Sequence, residues 1–221
     1  PGAILTSAST ALAAANARAN AGGERRRALV TGGSGFVGSH LIAALLDAGW
    51  EVMSLDIVPP PVTARREVKA VWGESDLLSR ETARMVVSVW PHVDVIFHLA
   101  AAPWNVSQDD EFVRINTFGT LRALELARGT GAALILASSQ LVYGVARHTP
   151  FYDYEALRPY SAYGYSKWLA ERLVEHFALN YDVRALVMRF GNIYGPGQER
   201  YRHLIPDLLR KLDVLVTKGS P

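Results

Sequence analysis

Residues 28–41, ALVTGGSGFVGSHL, decide the fold of this chain. The stretch passes from a short apolar segment into a glycine-rich turn, in which Gly32, Gly35 and Gly38 have the spacing G-x-x-G-x-x-G, and then into residues with helical spacing. Glycines let the backbone turn tightly and approach a pyrophosphate, and the N-terminus of a helix offers N–H groups and the positive end of its dipole. The stretch therefore predicts a strand, a turn and a helix that together bind the phosphates of a dinucleotide.

An acidic residue follows where such a unit requires one. Asp56 comes eighteen residues after Gly38, near the end of the predicted second strand, Glu51–Ile57. A carboxylate at this position accepts hydrogen bonds from the adenosine ribose hydroxyls and repels a 2′-phosphate. No arginine adjoins Asp56, so we predict that the cofactor is NAD rather than NADP. The plainer interpretation is a surface acid that ends a strand.

Apolar runs alternate with amphipathic stretches along the chain, which indicates α/β structure with a doubly wound parallel sheet. The predicted strands are Arg27–Thr31, Glu51–Ile57, Val68–Trp72, Val93–His98, Ala132–Ala137 and Val183–Phe190. The predicted helices are Phe36–Ala48, Ser79–Trp90, Asp109–Arg128 and Tyr160–Asn180, with one more in Leu204–Pro221. We interpret residues 1–26 as a flexible N-terminal extension and residues 27–221 as the nucleotide-binding domain, with a second lobe beginning near residues 198–221.

The composition excludes several classes of function. The net charge is +2, and a short basic run at Arg25–Arg27 is more typical of a solvated edge than of a nucleic-acid site. The absence of cysteine excludes disulfides and thiolate zinc sites and fits a cytoplasmic protein. No apolar run approaches the ~18–20 residues of a membrane span. The histidines form no cluster with metal-ligand spacing, so we expect no metal.

Tyr163 and Lys167 are the candidate catalytic pair. They are four residues apart in a predicted helix, so both side chains project from one face. A phenol with a pKa near ~10 is a poor base at neutral pH. A cation held beside it favours the phenolate and lowers that pKa. The alternative is a solvated Tyr/Lys pair, and the glycine turn on the same chain favours a catalytic role.

Ordered sequence blocks give the chain its family resemblance. It resembles the extended short-chain dehydrogenase/reductase family, the NAD-dependent nucleotide-sugar epimerases and dehydratases, which implies a Rossmann-type fold. The blocks are TGGSGFVGSHL at Thr31–Leu41, Asp56, Asp76-Leu77, HLAAA at His98–Ala102, NTFGT at Asn116–Thr120, SSQLVYG at Ser138–Gly144, YGYSK at Tyr163–Lys167 and RFGNIYGPG at Arg189–Gly197.

The resemblance implies a role for each matched residue. Ser139, Tyr163 and Lys167 would be catalytic, and Ser139 and Asn192 would bind the substrate. Within the cofactor set, Asp76 and Leu77 would contact the adenine, and Asn116 would order the active-site helix. Ser138 and His98 would be structural. The implied cofactor-binding residues are Gly32, Gly35, Phe36, Val37, Gly38, Asp56, Ile57, Asp76, Leu77, Leu99, Ala100, Ala101, Asn116, Tyr163 and Lys167.

The implied reaction is epimerisation at C4 of a UDP- or dTDP-hexose, through transient oxidation to a 4-keto sugar with Tyr163 as the base. Sugar dehydratases of the family carry an Asp-Glu pair where this chain has Gln140 and Leu141, and neither of these residues titrates. A dehydratase, a ketoreductase or a catalytically incomplete NAD-binding protein are the alternatives.

Two further expectations follow from the resemblance. Relatives dimerise through a four-helix bundle, so we expect a homodimer formed by Asp109–Arg128 and Tyr160–Asn180. Relatives also continue into a lobe that binds the nucleotide sugar. Because this chain ends at Pro221, we expect that the substrate lobe is truncated or missing.

Overall fold

A computed structural model of the protein describes residues 25–59, 69–71, 76–102, 109–145, 152, 155–198, 207–208 and 211. The chain divides into two compact units, Pro1–Phe190 and Gly191–Pro221. Residues 1–24 and most of Leu204–Pro221 lie outside the described residues. The N-terminal extension, the domain boundaries and the last helix therefore stay predictions.

Within the described residues, six parallel strands form one sheet in the order β3-β2-β1-β4-β5-β6. The order reverses beside β1, which opens a crevice at the carboxyl ends of β1 and β4. This arrangement confirms the predicted Rossmann-type, doubly wound α/β fold. The strands are β1 Arg27–Thr31, β2 Glu51–Leu55, β3 Lys69–Val71, β4 Val95–His98, β5 Ala133–Ser139 and β6 Ala185–Phe190. The helices are α1 Phe36–Asp47, α2 Arg80–Val89, α3 Asp109–Phe112, α4 Phe118–Thr130 and α5 Ala162–Tyr181.

The largest departure from the predicted elements is in the long helix before β5. The expected single helix Asp109–Arg128 is divided into α3 and α4 by a π-helical segment, Val113–Thr117, and α4 continues to Thr130. Such wider turns often occur at functional sites. Here the wider turn contains Asn116, whose buried side chain bonds to two neighbouring elements. None of the described helices has the length and apolar character that crossing a membrane requires.

The two faces of the sheet have separate cores. Successive strand side chains point to opposite faces, so on β1 Leu29 packs with α2, α4 and α5, while Ala28 and Val30 pack with α1. Full burial of one large apolar side chain contributes roughly 1.5–3 kcal/mol. The larger core therefore fixes α5 against β5, and with it the position of the residues that α5 carries.

Candidate active site

The glycine turn, residues 32–38, joins β1 to the first turn of α1 and has no room for a side chain at Gly32 or Gly38. Gly32 has φ 73°, and a Cβ there would lie 2.7 Å from the backbone nitrogen of Ala100. A Cβ on Gly38 would overlap the carbonyl oxygen of Gly32. Gly35 precedes α1 and provides no side-chain cap. The turn therefore leaves the N-terminus of α1 accessible to an anion such as a pyrophosphate.

Asp56 holds this glycine turn to the end of β2. The strand ends at Leu55, so Asp56 follows it, and one carboxylate oxygen accepts a hydrogen bond from the Ser34 amide at 2.9 Å. The other oxygen accepts from the Val58 amide at 3.0 Å. A carboxylate has about four acceptor sites, so Asp56 retains capacity for ribose hydroxyls. The contact with Ser34 was not foreseen from sequence. Ile57 is largely exposed.

The segment after β4 lies directly against the glycine turn. The Leu99 amide donates to the Thr31 carbonyl at 3.1 Å, and the Ala100 amide donates to the Thr31 hydroxyl at 3.3 Å. Ala101 follows, half-buried. The predicted cofactor residues that follow β4 therefore lie against the end of β1.

Four further predicted cofactor residues are Phe36, Val37, Asp76 and Leu77. Phe36 and Val37 form the first turn of α1 and are half-buried. Leu77 packs its side chain into the larger core, which leaves its backbone for an adenine. The adjacent Asp76 accepts a hydrogen bond from the Leu78 amide at 2.9 Å. Their contact with adenine stays a prediction.

Asn116 links the segment after β4 to α5. Its side-chain oxygen accepts from the Ala102 amide at 2.7 Å, and its side-chain nitrogen donates to the Ser166 hydroxyl at 2.8 Å. Ser166 in turn donates to the Tyr163 carbonyl at 2.7 Å. The side chain of Asn116 thus bonds to the helix that carries Tyr163. That it orders this helix for catalysis stays a prediction.

Tyr163, Lys167 and Ser139 lie together as a cluster, hereafter the Ser–Tyr–Lys cluster. Ser139 ends β5, and its hydroxyl lies close enough to Tyr163 to lower the pKa of the phenol. Lys167 is buried, donates to the Ala137 carbonyl at 2.9 Å and lies 5.8 Å from the centre of the Tyr163 ring. Gly164 permits this approach, because a Cβ there would lie 2.8 Å from the Leu141 carbonyl oxygen.

The ionisation of the cluster differs from the prediction. Burial raises the pKa of Tyr163, against a smaller opposite effect from its hydrogen bond with Ser139. The expected lowering by Lys167 is not seen, because the Lys167 ammonium bonds to Ala137 instead of the phenol. Burial lowers the pKa of Lys167 to about 8, and Glu171 acts in the opposite direction. A phenolate at neutral pH therefore requires further positive charge near Tyr163.

His98 is a satisfied core residue rather than a base. Its two ring nitrogens lie 2.7 Å from the Thr31 hydroxyl and 3.2 Å from the Thr120 hydroxyl. Burial and the charge of Lys167 lower the pKa of His98 to about 3, so the imidazole is neutral at physiological pH. This environment agrees with the structural role expected for it.

An ionic network beside the cluster was missed from sequence. Glu171 accepts two bonds from the guanidinium of Arg189, at 3.0 and 2.9 Å, and one from the Ser138 hydroxyl at 2.5 Å. Arg189 also donates to the Tyr143 hydroxyl at 2.9 Å. A signal was present, since Glu171 comes four residues after Lys167 and so shares its helix face.

Asn192, the predicted substrate residue, belongs to the second unit and is exposed. Its role stays a prediction.

The chain is similar in sequence and in structure to known proteins. The model of the NAD dependent epimerase/dehydratase family matches residues 28–217. The chain is 34% identical over 181 residues to UDP-glucuronic acid decarboxylase 1 of Xenopus tropicalis, covering 78% of this chain and 42% of the relative. It is 27% identical over 197 residues to UDP-glucose 4-epimerase of Streptococcus mutans, covering 82% of this chain and 59% of the relative.

A solved structure shows the same fold. MoeE5 in complex with UDP-glucuronic acid and NAD superposes with a TM-score of 0.72 at 35% identity, covering 83% of this chain and 60% of that chain. The chain thus spans roughly half the length of the curated relatives it matches.

Proposed function

Because the chain belongs to the NAD-dependent epimerase/dehydratase family, we propose that it is a nucleotide-sugar epimerase acting at C4 of a UDP- or dTDP-hexose. One observation carries the proposal. Ser139, Tyr163 and Lys167 meet at the carboxyl end of β5, on the edge of the sheet where β1 ends in the glycine turn. An acid–base cluster and a phosphate-binding turn at one edge suit the oxidation of an alcohol.

The residues present fit NAD, the cofactor of this family. The glycine turn and the N-terminus of α1 would hold the pyrophosphate, because side chains are excluded from the turn at Gly32 and Gly38. Asp56 would bind the adenosine ribose and repel a 2′-phosphate. When bound there, NAD⁺ would supply the hydride acceptor for oxidation of the sugar carbon and the hydride donor for the reverse step.

The cluster supplies the proton chemistry. Tyr163 removes the proton of the C4 hydroxyl as the C4–H bond breaks, which leaves a 4-keto sugar, and Ser139 bonds the same oxygen. Return of hydride to the other face, with the proton from Tyr163, gives the epimer. Lowering the phenol pKa from ~10 to near ~7 requires roughly 4 kcal/mol. Lys167 would supply part of this free energy when its ammonium approaches the Tyr163 phenol and the nicotinamide ribose.

Two residues favour epimerisation over elimination of water. Gln140 and Leu141 form the short 3-10 turn directly after Ser139. Neither side chain can donate or accept a proton as a carboxyl does, so the cluster lacks the acid and base that a dehydratase needs at these positions.

A decarboxylase is the second candidate, favoured by the 34% identity with a UDP-glucuronic acid decarboxylase. The first step would be the same oxidation at C4. The 4-keto group then stands β to the C6 carboxylate, which makes loss of CO₂ facile. The two candidates differ in substrate rather than in the cluster.

The test is turnover of defined sugars by the full chain with NAD⁺. UDP-glucose, UDP-galactose, dTDP-glucose and UDP-glucuronate are incubated separately and the products are identified by NMR. An epimerase interconverts the first two without net reduction of NAD⁺, whereas a decarboxylase converts UDP-glucuronate to a UDP-pentose and CO₂. Absence of NAD⁺ binding by calorimetry would contradict both candidates.

We also propose that the chain forms a homodimer through α4 and α5. Phe118 and Tyr165 are half exposed on these helices. A groove between the helices is lined by Leu121, Leu173 and Phe177. Phe118→Glu should convert a dimer to a monomer in analytical ultracentrifugation, and a monomeric wild type at micromolar concentration contradicts this assembly.

A further inference from the structure

Glu171 is a buried carboxylate one helical turn beyond Lys167 on α5. Its side chain is 2% exposed. A carboxylate in such a place needs a compensating charge and several hydrogen bonds. Arg189 on β6 provides the charge through two bonds. Burial lowers the pKa of that guanidinium, but the hydrogen bonds and charges of Glu171 and Tyr143 together outweigh burial, so the pKa is raised overall.

The same carboxylate reaches the strand that carries Ser139. The Ser138 hydroxyl donates to Glu171 at 2.5 Å, and the Lys167 ammonium donates to the Ala137 carbonyl at 2.9 Å. The two residues that precede Ser139 are therefore both bonded to α5. Movement of Glu171 would displace the end of β5 together with the ammonium.

We propose that Glu171 is a positioning residue of this site. Its carboxylate is the counter-charge that keeps Lys167 an ammonium, and with Arg189 and Ser138 it fixes the end of β5 on which Ser139 stands. The inference rests on the proposed function of Tyr163 and Lys167. It extends that function to a residue that acts through Lys167 and Ser139.

The charges around Lys167 support this role. Among the described residues, the titratable groups that interact with it are Tyr163 and Glu171 on α5 and His98 on β4, and Arg189 on β6 is paired with Glu171. His98 is neutral because its pKa is about 3. Within the described residues, Glu171 is the acid that raises the pKa of Lys167 against burial, which lowers it to about 8.

A purely structural ion pair between α5 and β6 is the competing explanation. It predicts that loss of either partner lowers stability and leaves the ionisation of Lys167 alone. A counter-charge predicts opposite effects from the two partners. Removal of the Glu171 charge lowers the pKa of Lys167. Removal of the Arg189 charge leaves the negative charge of Glu171 uncompensated, and this raises the pKa of Lys167.

The experiment is an NMR titration of the full chain labelled with [ε-¹³C]lysine. The chain has four lysines, and Lys167→Met assigns the resonance. Glu171→Gln, which keeps the shape of the side chain, should lower the pKa of Lys167 by about one unit, a tenfold change in ionisation. Arg189→Gln should raise it. Glu175→Gln on the same helix, which removes the exposed pair with Arg172, should leave it unchanged.

The outcomes are decisive in each case. An unchanged Lys167 titration in Glu171→Gln, or shifts of the same sign in both network variants, overturns the proposal. If Glu171→Gln does not fold, the rise in Arg189→Gln decides alone. If neither folds, the network is structural support and the counter-charge role is wrong.

Activity gives a second reading. In Glu171→Gln the alkaline limb of the pH profile of kcat should move to lower pH by as much as the pKa of Lys167 falls. Glu171→Asp, which keeps the carboxylate, should return that limb most of the way to its wild-type position. A wild-type chain without turnover contradicts the proposed function. The lysine titration needs no turnover, so it still tests whether Glu171 is the counter-charge of Lys167.

Discussion

The glycine turn and the Ser–Tyr–Lys cluster hold their shapes by opposite means. In the turn, geometry depends on missing atoms, since a Cβ at Gly32 or Gly38 would meet backbone that no rotamer change can move. In the cluster, geometry depends on side chains from β5 and α5, supported by Asn116 from the π-helical segment. The turn is local to about seven residues, and the cluster is assembled across the sheet.

The contrast shows where each region is vulnerable. Addition of atoms damages the turn, because the backbone there has no space to yield. Deletion of a polar atom damages the cluster, because its buried partner then remains unsatisfied. Substitutions that add atoms to the glycine turn, or that delete polar atoms from the Ser–Tyr–Lys cluster, therefore test whether the two regions differ in this way.

The largest expected effect is a deletion in the cluster. Tyr163→Phe removes the proposed base and should lower turnover by ~10²–10⁴-fold, the usual contribution of a positioned acid or base. NAD⁺ affinity and thermal stability should change little. Tyr165→Phe, half exposed two residues away, is the matched control. Full activity of Tyr163→Phe on a substrate that the wild type converts would refute the mechanism.

An addition in the turn should come next. Gly38→Ala places a Cβ against the Gly32 carbonyl and should destabilise the protein by about 1–3 kcal/mol through overpacking, with a matching loss of NAD⁺ affinity. Gly129→Ala in α4, where a Cβ meets no atom within 4 Å, should be neutral or stabilising. Denaturant unfolding and calorimetry measure both. Equal behaviour of the two variants contradicts the steric account.

A smaller effect on cofactor binding is expected from loss of Asp56, the side chain that is bonded to the glycine turn. Asp56→Ala removes two backbone hydrogen bonds and the proposed ribose contact, and should weaken NAD⁺ binding by about 1–3 kcal/mol. Asp47→Ala at the end of α1 is the control. The wild type should prefer NAD⁺ over NADP⁺, and equal calorimetric affinity for both cofactors removes the basis of this prediction.

The smallest effect near neutral pH is expected from His98. Its pKa is about 3 in the folded protein against 6.5 ordinarily, so the unfolded chain takes up a proton first as pH falls. Stability is therefore intact above pH 6.5 and decreases between pH 6.5 and about 3, by at most about 1.4 kcal/mol per pH unit. His98→Gln should flatten this slope and exposed His176→Gln should not. Identical slopes in urea titrations would exclude the effect.

The difference between the local turn and the cluster assembled across the sheet also explains which features could be predicted from the sequence. Spacing within a short segment predicted the glycine turn, β1 with its limits, and the pairing of Tyr163 with Lys167 on one helix face. The partners of these residues depend on how distant segments meet. The bonds from Ser34 to Asp56 and from Lys167 to Ala137 join positions 22 and 30 residues apart, and no local pattern encodes them.

Burial was the other quantity that sequence could not supply. The pKa of Tyr163 was expected to fall because Lys167 is four residues away, but the environment of the phenol raises it. Similarly, the side chain of Asn116 is enclosed by α5 and the segment after β4, and the predicted helix is widened there into a π turn. Helical periodicity alone cannot foresee that interruption.

The hydrogen bonds of Asp56 bear on efforts to change the cofactor of this protein. Replacement of the acid by a neutral or basic residue is the direct route to accepting a 2′-phosphate, but the same carboxylate accepts the hydrogen bond of the Ser34 amide within the turn. A single exchange would thus relax the pyrophosphate site while it opens the ribose site. An efficient redesign has to supply a new acceptor for Ser34 together with the new cation, so nucleotide preference and loop anchorage must be engineered as one unit.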